Sequence, residues 1–356
     1  MFIKVKNSSI PTFWLPLIFY DEPYWGQVLV TLVEICLYIF TGYVKTVALK
    51  TILEIRIFHT NLMIIGGSAF GMWYFLIFGK LITIAYRLIP IIDDIGRKGD
   101  FWTDDPEKML NVQELDGIWF LIVAGFLECY FGYSVVFGIM GVVTERVIAS
   151  LLIDNYEKNT NILIPVAIIT MSQFFAISLT VLLISNIFPK LVLTLPWVAC
   201  FVVSIFMYFY IREINTKWLQ EMENPRRTRV FTVSQRFQVK ENLKAVYLSE
   251  RIVASVLGSL LLFGSGLLAL SFNLLSPFTV HIGENMMFCY PLLIMPLIVF
   301  GIPAWKKRFV KYFPEISFFR QKMVIRMSSV DVIDDNQKQI MKETDTYFRQ
   351  LKDAWI

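Results

Sequence analysis

The sequence is short of charge, of histidine and of cysteine in pairs. Only 17% of its 356 residues are Asp, Glu, Lys or Arg, against roughly 25% in an ordinary soluble domain, which excludes a plain soluble enzyme. The four cysteines, Cys36, Cys129, Cys200 and Cys289, form no C-x-x-C pair. All lie inside apolar stretches rather than in loops where an extracellular disulfide would close, so they read as small hydrophobes packed between helices. There is no nucleotide P-loop, no H-E-x-x-H, no G-x-S-x-G and no dinucleotide fingerprint. No catalytic constellation, cofactor or metal site follows from such a chain. No repeat relates its halves, and no Gly/Ser linker marks off a second domain.

What is abundant is apolar surface. Hydrophobic residues make up 56% of the chain and aromatics 15%, with 31 Phe, a composition opposite to that of a disordered chain. A bilayer core requires about 20 consecutive apolar residues in a helix, because lipid offers the backbone no hydrogen bonds. Stretches free of Lys, Arg, Asp and Glu run over residues 57–79, 159–189, 191–211, 252–283 and 285–305. Two more, 23–44 and 117–144, are interrupted by one acid each, Glu34 and Glu128. A single ionisable group costs about 2.5–3.5 kcal/mol on insertion scales, which the surrounding Leu, Ile, Val and Phe offset. The reading is an all-α membrane protein, a bundle of seven helices at 24–44, 62–86, 117–143, 162–184, 192–211, 253–273 and 285–304.

The net charge of +4 acquires meaning from its distribution. Of 33 Lys and Arg, 25 fall on one side of this map and 7 on the other, with Lys80 inside a span. The positive-inside rule then places the N-terminus outside and the C-terminus in the cytoplasm. Residues 1–23 become an external segment, 24–304 the seven-helix domain and 305–356 a cytoplasmic tail. The one N-x-S/T sequon, at Asn7, falls on the external side as a glycosylation candidate. Residues 1–23 lack a continuous apolar stretch, so no cleavable signal peptide is expected ahead of the first span. His59 and His281 fall on opposite sides of the membrane, His59 at a loop end and His281 external, which excludes a zinc site built from both. The external loop 87–116 carries eight acids against four bases and reads as a solvated surface, with an acidic lid as the alternative.

Three ionisable residues stand inside spans: Glu34, Lys80 and Glu128. At about 1.5 Å per residue they lie roughly 15, 9 and 17 Å below the outer ends of their helices, depths compatible with one cluster. Charged groups at membrane depth are candidates for ligand binding; the alternative is a structural ion pair, or a snorkelling Lys80. The triad is net negative if all three are ionised, so burial favours a protonated acid or a bound cation.

Three local sequences carry a resemblance. Phe231-Thr-Val-Ser-Gln-Arg-Phe-Gln-Val-Lys-Glu-Asn-Leu-Lys244, before the sixth span, is the most specific; Ile57-Phe-His-Thr-Asn61 and Thr144-Glu-Arg-Val-Ile-Ala-Ser150 follow the first and third spans. Together, in matching order across the whole chain, they resemble the nematode serpentine receptors of class epsilon (Sre). The resemblance implies a seven-helix, G-protein-coupled-receptor-like chemoreceptor of sensory neurons, in their plasma or ciliary membrane. It would bind a small-molecule or peptide ligand and signal through a heterotrimeric G protein, with no nucleic-acid partner. The chain departs from the rhodopsin-like pattern: Glu145-Arg146-Val147 replaces Asp-Arg-Tyr, the last span lacks Asn-Pro-x-x-Tyr, and there is no loop cysteine pair.

With that resemblance, Glu145 and Arg146 at the end of the third span become candidates for a conformational lock, or else an interfacial pair orienting the helix. Thr232 and Gln235 have the spacing of a capping box, and Val239, Leu243, Val246 and Val253 recur at helical intervals. The sixth helix is thus expected to extend into the cytoplasm and present Arg236, Lys240 and Lys244 to a partner or to anionic lipid. Lys306, Lys307, Arg308 and Lys311, with Phe309 and Phe313, suit a helix lying on membrane lipid. The competing function class is a transporter or ligand-gated channel, which shares the intramembrane charges but commonly shows internal repeats.

Overall fold

A computed structural model describes residues 2–5, 12–16, 24–88, 109–112, 117–151, 162–188, 190–223, 232, 235–236, 239–240, 242–243, 245–248 and 277–313. The chain divides into two compact units, residues 1–301 and 302–356. In the first, the charge-free runs form long helices: α1 (Tyr24–Glu54), α2 (Thr60–Leu88), α3 (Trp119–Leu151), α4 (Leu163–Ile184) and α5 (Lys190–Glu223). Two shorter helices follow, α6 (Pro277–Phe288) and α7 (Pro291–Phe300), which together make one apolar crossing from His281 to Phe300. Among the described residues six helices are long and apolar enough to cross a membrane, so this is a multi-pass membrane protein. The expected sixth span, 253–273, lies outside the described residues, as do Asn7, Lys244 and the acidic stretch 93–107.

The helices outrun the spans read from charge. α1 continues ten residues past Val44 and α5 twelve past Ile211, because a helix does not end where the first charge appears. Lys45 and Arg87, assigned to loops in the side-by-side charge count, lie within α1 and α2. Lys45 is buried: its Nζ donates to the Phe70 carbonyl (2.5 Å) and sits 4.6 Å from the Trp73 ring centroid. The start of α2 is held by His59, whose Nδ1 accepts from the Asn61 N–H (3.3 Å).

The seventh span is broken rather than continuous. Pro291 has no N–H to extend the hydrogen-bond ladder, so the chain turns at Cys289–Tyr290 and α7 starts afresh. The Phe288 carbonyl, left over at the end of α6, accepts instead from the Trp73 indole N–H of α2 (2.8 Å).

These helices are apolar outside and polar within. On α1, Thr31, Glu34, Tyr38, Thr41, Lys45 and Ala48 are buried at i, i+3, i+4 intervals, whereas Trp25, Leu29, Leu32, Ile39 and Phe40 are exposed. That is the pattern of a bundle facing lipid, where the interior is the only refuge for a polar side chain. α2 packs most extensively on α3, and α3 in turn on α4 and α5. Helical residues between Gln235 and Leu248 lie along α5: Val239 and Leu243 meet Trp218, Leu219 and Met222, and Val246 meets Tyr208 and Ile211. The capping box at their start is reciprocal. Thr232 N–H donates to Gln235 Oε1 (2.8 Å) and Gln235 N–H to Thr232 Oγ1 (3.3 Å).

The fold is mostly helical but not wholly so, which corrects the all-α expectation. Three short strands, β1 (Phe2–Val5), β2 (Thr12–Trp14) and β3 (Leu110–Val112), form a sheet of order β2-β1-β3. β1 pairs antiparallel with β2, Ile3 facing Phe13, and parallel with β3, Ile3 facing Leu110. Three- and four-residue strands carry no legible alternation, so pattern reading passes over them. Asn186, in the left-handed region (φ 48°) that asparagine tolerates, donates to Thr12 Oγ1 (3.3 Å) and ties the sheet to the end of α4.

In the second unit, α8 (Pro303–Phe309) and a 3-10 turn (Val310–Tyr312) bury Trp305 and Phe309 and expose Lys306 and Lys307.

The α2/α3 contact depends on small residues. A side chain at Gly79 would begin 3.1 Å from the Ala124 carbonyl and from Leu127 Cβ, whereas at Gly66 it would meet nothing within 4 Å. Gly79→Val should therefore cost about 1–3 kcal/mol through overpacking, read as a lower thermal midpoint of the purified protein. Gly66→Ala should leave that midpoint in place; equal effects at both positions would contradict the packing described.

Candidate functional site

Two clusters of buried polar side chains interrupt the apolar interior. The first is built from one face each of α1, α2 and α6, with one residue of α3. Thr31, Glu34 and Tyr38 on α1, Lys80, Thr83 and Arg87 on α2, and His281, Glu284, Asn285 and Phe288 on α6 recur at three- and four-residue intervals, which bring each set onto one helix face. Glu128 is the α3 member. Gly125, one turn earlier, makes room for the N-terminal segment: a Cβ there would come within 3.3 Å of Trp14 and 3.2 Å of Pro16.

Within this cluster the ion pairs link helices. Glu34 pairs with Arg87, whose Nη2 also donates to Thr31 Oγ1 (3.1 Å). Lys80 Nζ lies 2.9 Å from Glu284 Oε2 and 3.6 Å from Glu128 Oε2, and 4.7 Å from the centroid of the Phe288 ring. The Tyr38 hydroxyl bonds closely to Asn285 Oδ1 and stands 3.3 Å from Glu34 Oε1. His281 Nε2 lies 3.1 Å from both Arg87 Nη1 and Asn285 Nδ2. The same nitrogen is 3.6 Å from Glu34 Oε2. Glu128 Oε1 accepts from the Thr83 hydroxyl (3.0 Å), but among the described residues Glu128 Oε2 and Arg87 Nε have no hydrogen-bond partner. An apolar wall of Trp73, Leu76, Ile84 and Phe131, together with Tyr38 and Phe288, adjoins the charges.

Glu34, Lys80 and Glu128 thus meet in one region, but not as a triad. Lys80 sits nearer to Glu284 than to Glu128, and Glu34 takes Arg87 as its partner. Arg87, Glu284 and His281 were missed from the sequence because the second span was ended at 86 and the seventh begun at 285. His281, read as external, is buried at 2% exposure. The signal available was the spacing itself: Lys80-Thr83-Arg87 and His281-Glu284-Phe288 each continue a polar helix face past the charge that seemed to end it.

The second cluster joins α3, α5 and the helical residues after Gln235. Arg146 forks onto its neighbour Glu145, Nε to Oε2 at 2.5 Å and Nη2 to Oε1 at 2.6 Å, and its Nη1 donates to Asn242 Oδ1 (3.0 Å). Asn242 Nδ2 donates to Ser150 Oγ (3.1 Å) and Asn215 Oδ1 (3.2 Å), and Asn215 Nδ2 to Ser150 Oγ (2.9 Å) and the Ile211 carbonyl (2.8 Å). All five side chains are buried. Arg236 is exposed and Lys240 half-buried. Asn215 and Asn242 carried no motif beyond the resemblance, and nothing local in the sequence announced them as partners of Arg146.

A network whose every member is satisfied loses more than one contact when a member is removed. Asn215→Ala and Asn242→Ala should each destabilise by about 1–3 kcal/mol, since each leaves a buried group unmet. The double variant should cost less than the sum. Thermal unfolding of the purified variants tests this, and strict additivity would show that the two asparagines do not share a network.

The comparisons with known proteins agree with this architecture. A family model described as Sre G protein-coupled chemoreceptor matches residues 1–356. Among curated proteins of Caenorhabditis elegans, serpentine receptor class epsilon-26 is 50% identical over 360 residues, and serpentine receptor class epsilon-29 is 39% identical over 364 residues, each alignment covering the whole of both chains. Serpentine receptor class epsilon-27 is 39% identical, also over the full length of both. The chain belongs to the Sre family of G protein-coupled chemoreceptors.

Proposed function

We propose that this chemoreceptor takes its ligand at the charged cluster of Glu34, Lys80 and Glu128, joined there by Arg87, His281 and Glu284. The signal leaves through the cluster around Glu145 and Arg146. In this reading the N-terminus is outside and the C-terminus in the cytoplasm, with seven spans, so that the sheet-covered end is the ligand face. The basic residues Arg236, Lys240 and Lys244 face a heterotrimeric G protein, while the exposed Lys306 and Lys307 of α8 meet the headgroups of membrane lipid. The ligand is a small molecule or peptide, Asn7 is glycosylated, and the receptor works in the plasma or ciliary membrane of sensory neurons.

One observation carries the coupling half of this proposal: Arg146 Nη1 reaches Asn242 Oδ1 at 3.0 Å, across from α3 to the residues leading into the sixth span. A ligand shifts a receptor only through different affinities for two bundle states, and a buried bond between two helices is a contact that those states can make differently. The intramembrane charges also suit a transporter or ligand-gated channel. That second reading predicts ion or solute flux where the receptor reading predicts none.

The test is basal nucleotide exchange on a co-expressed heterotrimeric G protein, measured in membranes at matched surface levels. Arg146→Ala should lower it, by removing the charged group whose buried contacts the two bundle states make differently. Asn242→Ala should raise it, by releasing Arg146 from the inactive arrangement. Exchange equal to wild type in both variants would sink the coupling assignment. An antibody reaching a C-terminal tag on unpermeabilised cells would overturn the topology independently.

A further inference from the structure

The charges of the first cluster do not balance, and the imbalance has an address. Among the described residues three carboxylates, Glu34, Glu128 and Glu284, face two cations, Lys80 and Arg87. Arg87 is committed to Glu34. Lys80 is committed to Glu284 at 2.9 Å, and at 3.6 Å it is beyond hydrogen-bond reach of Glu128. The surplus acid is therefore Glu128. Its residue is 5% exposed, and its Oε2 accepts no hydrogen bond among the described residues. A buried carboxylate oxygen in that position is costly unless something meets it.

His281 does not supply what is missing. Its nitrogens face Glu34 Oε2 (3.6 Å) and Glu284 Oε2 (4.0 Å) and not Glu128. A metal ion does not fit either, since among the described residues no three His, Cys, Asp or Glu side chains converge to hold one. An organic ammonium asks less: one carboxylate and an aromatic neighbourhood that stabilises a cation. Both are at hand. The Phe288 ring already lies under the Lys80 ammonium at 4.7 Å, and Trp14 packs against Gly125, one turn from Glu128 on the same helix. The Trp14 indole N–H is itself buried and unpartnered among the described residues.

Building on the reading of this cluster as the ligand site, we infer that the receptor recognises a cationic amine, whose ammonium group sits on the Glu128 carboxylate. Lys80 is the built-in competitor for that position, and Glu284 is the residue that holds Lys80 away from it.

The arrangement makes predictions of opposite sign at neighbouring positions, which a merely structural role would not. The probe is phenethylammonium, titrated into purified full-length receptor in detergent and read as a concentration-dependent rise in thermal midpoint. Phenylacetate and 2-phenylethanol serve as the matched anionic and neutral probes. Phenethylammonium alone should stabilise the protein, and Glu128→Gln should abolish the effect. Lys80→Met should tighten binding by about tenfold, and Glu284→Gln, which frees Lys80 to pair with Glu128, should weaken it by about tenfold. Glu54→Gln, at the far end of α1, should bind as wild type does.

The inference is overturned if phenylacetate or 2-phenylethanol stabilises as well as the amine, if the amine effect persists in Glu128→Gln, or if Lys80→Met and Glu284→Gln move affinity in the same direction. It is equally overturned if no amine effect appears and Glu128→Gln alone raises the midpoint, the signature of a carboxyl held protonated. Because no G protein is present, these results are separate from the exchange assay. Failure here with exchange as predicted would remove the amine and leave the receptor mechanism, whereas loss of the exchange effects would remove the mechanism itself.

Discussion

An ionised side chain inside a membrane protein has nowhere to go but toward a counter-charge, and much of this bundle is organised by that constraint. Each such group costs about 2.5–3.5 kcal/mol to insert, and removing one partner of a buried pair is penalised by about 3–5 kcal/mol. Glu34 with Arg87 therefore fixes α1 against α2, and Lys80 with Glu284 fixes α2 against α6. With no hydrophobic force to press helices together in lipid, these pairs set which faces meet and at what height. The broken seventh span fits the same scheme: the turn at Cys289–Tyr290 leaves the Phe288 carbonyl for Trp73, immediately beside the ion pairs.

The two polar clusters do different work. The first is rich in charge and, among the described residues, incompletely satisfied, with no hydrogen-bond partner for Glu128 Oε2 or Arg87 Nε. In the second, the Glu145–Arg146 fork is extended by Ser150, Asn215 and Asn242 through direct hydrogen bonds. An open cluster can be altered by what enters it, and a closed one by a shift of the helices that compose it. α3 belongs to both, since Glu128 and Arg146 stand on the same rigid helix, 18 residues and roughly 27 Å apart. Its packing on α2, where Gly79 allows close approach to Ala124, ties the charged helix faces to that common element.

Much of this was legible in the sequence, and what was not failed for identifiable reasons. Charge-free length located the helices because lipid penalises charge uniformly. It misplaced their ends because Arg87 and Arg146 are paired with acids inside the bundle, and Lys45 with a carbonyl and an indole ring, where the penalty is offset. Glu34, Lys80 and Glu128 stood out as the only charges within apolar runs. Arg87, His281 and Glu284, their partners, sat just beyond those runs and looked like flanks. The Thr232–Gln235 cap was visible because its chemistry is local. Asn215 and Asn242 were not, because their meeting across 27 positions is a product of packing. The sheet escaped because three- and four-residue strands are specified by long-range pairing and not by pattern.

The dependence of the bundle on its internal ion pairs is tested most directly by a double-mutant cycle on Glu34 and Arg87, read as thermal unfolding of the purified receptor. Glu34→Gln and Arg87→Met should each destabilise strongly, by leaving the other charge buried without its partner. The double variant should recover much of the loss, with a coupling of about 0.5–3 kcal/mol between the sites. Single effects that simply add, with no recovery in the double variant, would contradict the claim that this pair organises the fold.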